Sequence, residues 1–280
     1  MVNLVLSTLT ESIKITLLVL VMMILIDLIN VRTRGKLSSI LQTGRRWKQY
    51  VLASLLGASP GCIGSFAGVS LYVHGMISFG ALTGMMLATA GDEQFVMLAM
   101  FPKTAIIIFI ILFFIGIIAG VVTDFVIKKF KIKTCSDCKE KQFHEDKEGI
   151  SHYIKDHIWK HIIKKHILRT FLWTFGAILI IGIGLTFWQI DKITSEYTFL
   201  ILILSAVIGL IPESGPHLIF VTMYAQGLIP FSILFTSSIV QDGHGMLPLL
   251  SYSVKDSILV KIFNLIFGLS FGLLIYLMGY

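Results

Sequence analysis

The sequence contains a series of apolar runs, each close to the length needed to cross a lipid bilayer. They lie at about residues 12–30, 104–127, 170–188, 197–211 and 258–279. A helix needs roughly 20 consecutive apolar residues to span the hydrocarbon core. Only 14% of the residues are charged and the mean hydropathy is +0.86, whereas soluble domains average about 25% charged residues. The predicted fold class is therefore an all-α polytopic membrane protein.

Two basic segments predict which loops face the cytoplasm. Residues 31–49 carry six basic residues and no acidic one, and residues 128–169 carry twelve basic and six acidic residues. By the positive-inside rule both segments are cytoplasmic, so topology explains the net charge of +7 better than nucleic-acid binding does. The nearly neutral loop 188–197 then lies outside. The run at 12–30 lacks a small-residue cleavage site after it, so we expect it to be a retained span. Because the loop after this span is cytoplasmic, we expect the N-terminus to lie outside.

The chain contains an internal repeat. Residues 57–98 and 209–250 align without gaps and are identical at ten of 42 positions. Under the predicted topology the first copy is entered from the cytoplasm and the second from outside, as in inverted-topology transporters. We expect five spans in each half, ten in total, with the halves at 1–127 and 170–280 joined by a cytoplasmic linker at 128–169.

Each copy has two places where glycine or proline is expected to break a helix. The first pair is "SPGCIG" (59–64) and "IPESGPH" (211–217), and the second is "TAGDEQF" (89–95) and "VQDGHG" (240–245). The backbone groups freed at a break must be buried in protein or line a wet cavity. The predicted helix-break residues are Pro60, Gly61, Gly91, Pro212, Gly215 and Gly243.

Ionisable and polar side chains are concentrated at these four breaks. They are Cys62, Asp92, Glu93, Glu213, Ser214, His217, Gln241, Asp242 and His244. An ionisable residue at membrane depth costs about 3 kcal/mol on insertion scales and marks a functional site by default. Carboxylate with imidazole suits Mn, Fe or Zn, and a thiolate shifts the preference toward softer ions. The set predicts a divalent-cation site.

Structural alternatives stay open for some of these residues. Asp92 and Glu93 could cap a helix at the membrane surface, and His217 could be a neutral histidine bonded to a carbonyl group. Cys62 alone could be a small apolar filler. The strongest candidates are Glu213, which lies between Pro212 and Gly215, and the Asp242–His244 pair.

The linker has a partial metal-binding signature of its own. Cys135 and Cys138 have ligand spacing, and His157 and His161 stand four residues apart on a predicted helix. A complete zinc motif would need a second matched pair at characteristic spacing. An accessory zinc-like ion is one interpretation, and a basic amphipathic helix resting on the inner leaflet is the other.

At "IPESGPHLIF", "SSIVQDGHGMLPLL" and "ISFGALTGMMLATAGDEQF", the sequence resembles a family of bacterial ten-span membrane proteins. These proteins are described as heavy-metal exporters, and variously as arsenic efflux or manganese transporter proteins. The resemblance covers nearly the whole chain. It implies metal or metalloid efflux across the bacterial cytoplasmic (inner) membrane, with the lipid bilayer and a metal ion as the partners.

The leading functional hypothesis is a secondary transporter that exports a divalent heavy metal in exchange for protons. No nucleotide-binding motif is present in the sequence, and midplane carboxylates can bind metal and protons in turn. The alternative is a transporter of an oxyanion, a metalloid such as arsenite, or a small organic anion, because half-helix N-termini attract anions. An intramembrane metalloenzyme would use His217, Glu213 and Asp242, but HExxH is absent. We therefore predict no enzyme and no resident cofactor.

Overall fold

The computed structural model describes residues 4–17, 20–21, 46–73, 75–134, 168–187, 194 and 196–280. Within these ranges the regular structure is helical and contains no strand. The helices are α1 (4–17), α2 (Arg46–Ala58), α3 (Ile63–Val73), α4 (Phe79–Ala88), α5 (Glu93–Met100), α6 (Pro102–Lys129), α7 (Leu168–Phe187), α8 (Thr198–Gly209), α9 (Leu218–Ala225), α10 (Phe231–Val240), α11 (Met246–Tyr252) and α12 (Val254–Leu277).

Helices α6 and α12 are long and apolar enough to cross a bilayer. They have 28 and 24 residues, with mean hydropathies of 3.3 and 2.3. At about 1.5 Å per residue each exceeds the roughly 30 Å of hydrocarbon. Their exposed side chains are largely apolar, for example Phe114 on α6 and Ile266 on α12, as a surface facing lipid requires. The apolar runs at 104–127 and 258–279 are thus helices, as predicted.

The other predicted spans are less uniform. Helix α7 has 20 residues and matches the run at 170–188. Helix α8 has only 12 residues, because the chain leaves the helix ahead of Pro212, which cannot donate a backbone hydrogen bond. The run at 12–30 is described only as far as residue 21, where residues 4–17 and 20–21 are helical.

The helices end at all four places where glycine or proline predicts a break. Residues 59–62 separate α2 from α3, and 89–92 separate α4 from α5. In the second half, 210–217 lie between α8 and α9, and 241–245, with a 3-10 turn at Gly243–Gly245, lie between α10 and α11.

The two copies of the repeat have the same local geometry at α4 and α10 and at the turn before each of these helices, but not at the first break, which is four residues long in one copy and eight in the other. The first and last residues of α10 lie 152 positions after those of α4, which is the offset of the sequence alignment. Gly75 and Gly227, at matching positions, have φ of 71° and 72°. Their amides donate to the carbonyl groups of Tyr72 and Tyr224 at 2.8 and 2.9 Å. The sequence repeat therefore corresponds to a repeat in backbone conformation.

The centre of the structure is formed by α4 and α10. Every residue of α4 is buried, as is every residue of α10 after Phe231. Helix α6 packs on α4, and α12 packs on α10. The contact between α4 and α6 is backbone to backbone: a Cβ added to Gly84 would overlap the carbonyl oxygen of Gly116. Small residues allow such close approach in membrane helices.

We predict that Gly84→Ala destabilises the protein by about 1–3 kcal/mol, the usual cost of overpacking a close contact. The matched control is Gly176→Ala, because a Cβ there meets nothing within 4 Å. Alanine favours helix over glycine by about 0.5–1 kcal/mol, so the control should be neutral or slightly stabilising. Thermal unfolding of the purified proteins in detergent measures both. Equal stability of the two variants would contradict the close α4–α6 contact.

Candidate metal centre

Three of the breaks bring a thiol, a carboxylate and an imidazole together. Cys62, Asp92 and His244 are all buried, and one ligand atom of each lies within 4.8 Å of the other two. Cys62 Sγ is 3.4 Å from Asp92 Oδ1 and 3.9 Å from His244 Nδ1. His244 Nδ1 is 3.7 Å from Asp92 Oδ2. We call these three residues the metal cluster. Sulfur, oxygen and nitrogen ligands in one small volume can bind a transition-metal ion.

Glu213 lies on the other side of the imidazole ring. Its Oε1 is 3.1 Å from His244 Nε2, whereas Nδ1 of the same ring faces Cys62 and Asp92. A histidine that binds metal through one ring nitrogen usually donates the N–H of the other to a carboxylate, which fixes the tautomer and orients the ring. Glu213 Oε1 lies within ion-pair distance of Nε2, but the two atoms do not form a hydrogen bond in this arrangement. Glu213 is therefore placed to contact the outer side of the ring, and Nδ1 is left facing Cys62 and Asp92.

The cluster is compact because two glycines pack against each other. Gly91 and Gly243 have φ of +56° and +53°, a region that L side chains rarely adopt. A Cβ on Gly91 would lie 2.7 Å from the Ser214 hydroxyl oxygen and 3.2 Å from the Cα of Gly243. Asp92 and His244 each follow one of these glycines. The glycine contact therefore allows the two ligands to approach each other.

The structure also bears on the alternatives left open by the sequence. Asp92 is at the N-cap position of α5, but its side chain makes no capping hydrogen bond. Cys62 contacts two polar side chains, so it is not in purely apolar surroundings. His217 Nδ1 is 3.3 Å from the Ser237 hydroxyl oxygen, and this imidazole lies outside the metal cluster.

Asp242 forms a buried ion pair with Lys261 of α12. Asn264 Nδ2, on the same helix, lies 3.5 Å from the second carboxylate oxygen, and the Lys261 ammonium also donates to the carbonyl group of Gly209 at 3.1 Å. Lys261 is not among the residues predicted from the sequence, although a lysine within an apolar run is itself costly. Asp242 thus ties the break after α10 to α12.

Glu93 and Gln241 lie at the C-terminal end of α10. Glu93 Oε1 is 3.5 Å from the Ser238 hydroxyl oxygen. The Gln241 side-chain carbonyl oxygen accepts a hydrogen bond from the Gly243 amide at 3.1 Å. Both residues are buried, and neither belongs to the metal cluster.

The amino-acid sequence matches the family described as "Putative, 10TM heavy-metal exporter" over residues 2–183 and 173–278. The chain belongs to this family. No curated protein and no solved structure matches it. Membership in the heavy-metal exporter family makes the chain a multi-pass membrane protein. It also agrees with an all-helical fold that has long apolar helices on the outside and polar side chains at internal breaks.

The remaining residues predicted from the sequence are placed as follows. Pro60 and Gly61 lie between α2 and α3, where Gly61 has φ of +94°, and Pro212 and Gly215 lie between α8 and α9. The accessory candidates in the linker, Cys135, Cys138, His157 and His161, lie outside the described residues.

We predict that Asp242→Asn and Lys261→Met each destabilise the protein by about 3–5 kcal/mol, because either change leaves one buried charge without its partner. The double variant should recover most of that loss, since both charges are then absent. Thermal unfolding in detergent gives the double-mutant cycle. Lys255→Met, an exposed lysine on the same helix, is the control and should stay within about 0.5 kcal/mol. If the double variant loses as much stability as the two single variants together, this result would argue against the Asp242–Lys261 ion pair.

Proposed function

We propose that the protein is a secondary transporter that exports a divalent heavy metal, and that the metal cluster binds the ion during transport. The observation that carries the proposal is the approach of Cys62, Asp92 and His244 within 4.8 Å of one another in buried surroundings. Three protein ligands leave a coordination position open. An incomplete ligand set suits a site that must release its ion.

The arrangement of the ligands supports transport. Cys62 and Asp92 come from the first copy of the repeat, and Glu213 and His244 come from the second. We propose that the copies have opposite orientations in a ten-span bacterial inner-membrane protein with its N-terminus outside, as the charges of the loops predict. In inverted-repeat transporters the substrate lies where broken helices of the two halves meet, near the bilayer midplane. Alternating access would then expose this site to each side in turn.

The ligand types favour a zinc-like cation over manganese. Thiolate and imidazole ligands suit zinc and other borderline or soft ions, whereas carboxylate, carbonyl and water ligands suit manganese. Of the three residues of the cluster, Cys62 carries the thiol, the ligand type that most clearly favours zinc over manganese. An oxyanion has less support, because the cluster and its neighbour Glu213 contain two carboxylates. The ammonium group of Lys261, in the part of the chain that the structure describes, is already paired with Asp242.

Exchange with protons is consistent with the chemistry of the same ligands. A cysteine binds metal as the thiolate and a histidine as the neutral imidazole, so metal binding releases protons. Return of protons to these groups would favour release of the metal. We therefore propose metal–proton antiport, with the cluster itself as the place of exchange.

Cells lacking the protein, supplied with wild type or variants, test the export proposal. We expect wild type to lower the cellular content of Zn or a similar ion in a panel of Mn, Fe, Co, Zn, Cd and arsenite. Cys62→Ala and His244→Ala should abolish the effect at equal expression. Glu213→Gln should weaken metal binding by about 10- to 100-fold, as loss of an outer carboxylate does. Elemental analysis of washed cells is the measurement.

The conservative variant Cys62→Ser distinguishes a metal ligand from a packing residue. It keeps the volume but replaces sulfur with oxygen, so Zn export should fall and the preference should move toward Mn. Thr222→Ala, a buried change on α9 whose hydroxyl group donates to the Leu218 carbonyl group of the same helix, is the control and should export like wild type. Export of every metal by Cys62→Ala at the wild-type rate would remove the cluster from the transport route.

Proteoliposomes in sodium-free buffer test the exchange with protons. Zn uptake should be faster into vesicles with an acidic interior than into vesicles at symmetric pH, and a protonophore should abolish the difference. His244→Ala should show no uptake in either condition. Equal rates with and without the pH gradient would rule out proton exchange while leaving metal transport intact.

A further inference from the structure

A second polar site lies beside the metal cluster, on the other side of the start of α5. Glu93 follows Asp92 directly in the chain, but its carboxylate faces the last turn of α10. The residue is 1% exposed. Oε1 is 3.5 Å from the Ser238 hydroxyl oxygen, and Oε2 has no hydrogen-bond partner. The side chain of Gln241 also interacts with this carboxylate, but it is neutral, as the Ser238 hydroxyl group is. A buried carboxylate without a charged partner needs a cation.

The Glu93 carboxylate, at the start of α5, faces the C-terminal end of another helix. Ser238 lies in the last turn of α10, which ends at Val240 with Gln241 as its C-cap. The last carbonyl groups of a helix have no partner within it, and the helix dipole gives this end a partial negative charge. Among the ion pairs within the described residues, none includes Glu93. A cation between the carboxylate and the helix end would be attracted to both.

The fold does not require these polar side chains. At the position of α4 that matches Ser238, the first copy has Met86, and the residue that matches Glu93 in the second copy is Gly245. Helix α4 is buried as completely as α10. The end of this helix therefore has an apolar side chain in one copy, whereas in the other it has a hydroxyl group that faces the carboxylate of Glu93.

The ligands select the kind of cation. A carboxylate, a hydroxyl group and backbone carbonyl groups are all oxygen ligands, which hard ions prefer to the sulfur and nitrogen of the metal cluster. One carboxylate is balanced by one positive charge, whereas a divalent ion would leave an excess charge in apolar surroundings. Carbonyl groups at the C-terminal end of a broken helix bind Na⁺ in membrane transporters.

We propose that Glu93, Ser238 and the C-terminal turn of α10 form a sodium site, separate from the metal cluster. The site itself does not depend on the proposed function. Its consequence for transport does, because Asp92 and Glu93 are consecutive residues and two bound cations would repel each other. Sodium therefore weakens metal binding, and the metal weakens sodium binding by the same factor.

The sodium site is tested by thermal unfolding of the full-length protein in detergent without heavy metal. NaCl, KCl and choline chloride are compared at equal ionic strength and fixed pH. We expect NaCl to raise the melting temperature of wild type in a saturable way. Glu93→Gln and Ser238→Ala should need at least about tenfold more NaCl for the same shift in melting temperature. This corresponds to a tenfold increase in the dissociation constant for sodium. Ser237→Ala is the matched control, because this hydroxyl group faces His217, and it should respond like wild type.

Two results would overturn the proposal. One is a wild-type melting temperature that depends on pH but not on sodium, and the other is a sodium response that survives intact in every folded variant of the pair Glu93→Gln and Ser238→Ala. Ser238→Ala removes only a hydroxyl group, so it keeps the test valid if Glu93→Gln fails to fold.

Calorimetric titration with Zn²⁺ separates this proposal from the export proposal. Replacing choline with sodium should raise the dissociation constant of wild type for Zn²⁺ by a factor in the range of about 5–150, the usual size of coupling between two sites, and should change little in Glu93→Gln. Cys62→Ala should lose Zn²⁺ binding and keep the sodium response. A sodium response without any Zn²⁺ binding supports the sodium site and contradicts the metal cluster. Zn²⁺ binding without a sodium response contradicts the sodium site alone.

Discussion

The hydrocarbon core of a membrane offers no partner to an unpaired backbone group, and this constraint governs the placement of every interrupted helix. Helices α4 and α10 end inside the protein, at Thr89 and Gln241, and both are enclosed by neighbouring helices along almost their whole length. The long helices α6 and α12 face lipid, so the interrupted ones do not have to. The protein can therefore hold polar side chains within the membrane because the helix breaks beside them are buried.

The charges around the breaks are stabilised in different ways. Asp242 is paired with a lysine, and Glu213 contacts the imidazole of His244. Asp92 faces a thiol and the same imidazole. Glu93 has only neutral neighbours among its polar contacts in the described residues, the Ser238 hydroxyl group and the Gln241 side chain. Asp242, which is paired with Lys261, ties the break after α10 to α12. The proposed metal and sodium sites rest on the other three carboxylates.

Much of the fold could be predicted from the sequence because the signals are local. The apolar runs predicted α6, α7 and α12, and glycine and proline predicted where the helices end. The residues of the cluster could be predicted for a related reason: an ionisable residue beside a helix break has few roles in a membrane. Which of these residues contact one another could not be predicted. Cys62 and His244 are 182 positions apart, and only the packing of the two halves shows that they meet.

The sequence also could not assign each polar residue to a partner. Asp242 and His244 are two positions apart, yet one contacts α12 and the other contacts Cys62 and Glu213. The direction of a side chain at a break depends on backbone angles that no periodicity describes, such as the positive φ of Gly243. Lys261 was overlooked because a single lysine in an apolar run changes the hydropathy little, although it changes the electrostatics of the interior.

The contact between Gly91 and Gly243 has a mechanical consequence. Two glycines that face each other have no side chains to interlock, so one surface can slide over the other without breaking an interdigitated core. The atoms attached just beyond them move by the same amount. Cys62 Sγ and His244 Nδ1 are 3.9 Å apart, and metal–ligand bonds are only about 2.0–2.3 Å long, so a slip of an ångström or so in either direction is enough to make or undo a coordination sphere. The contact between Gly91 and Gly243 thus lies beside the atoms whose separation would decide whether an ion can be coordinated.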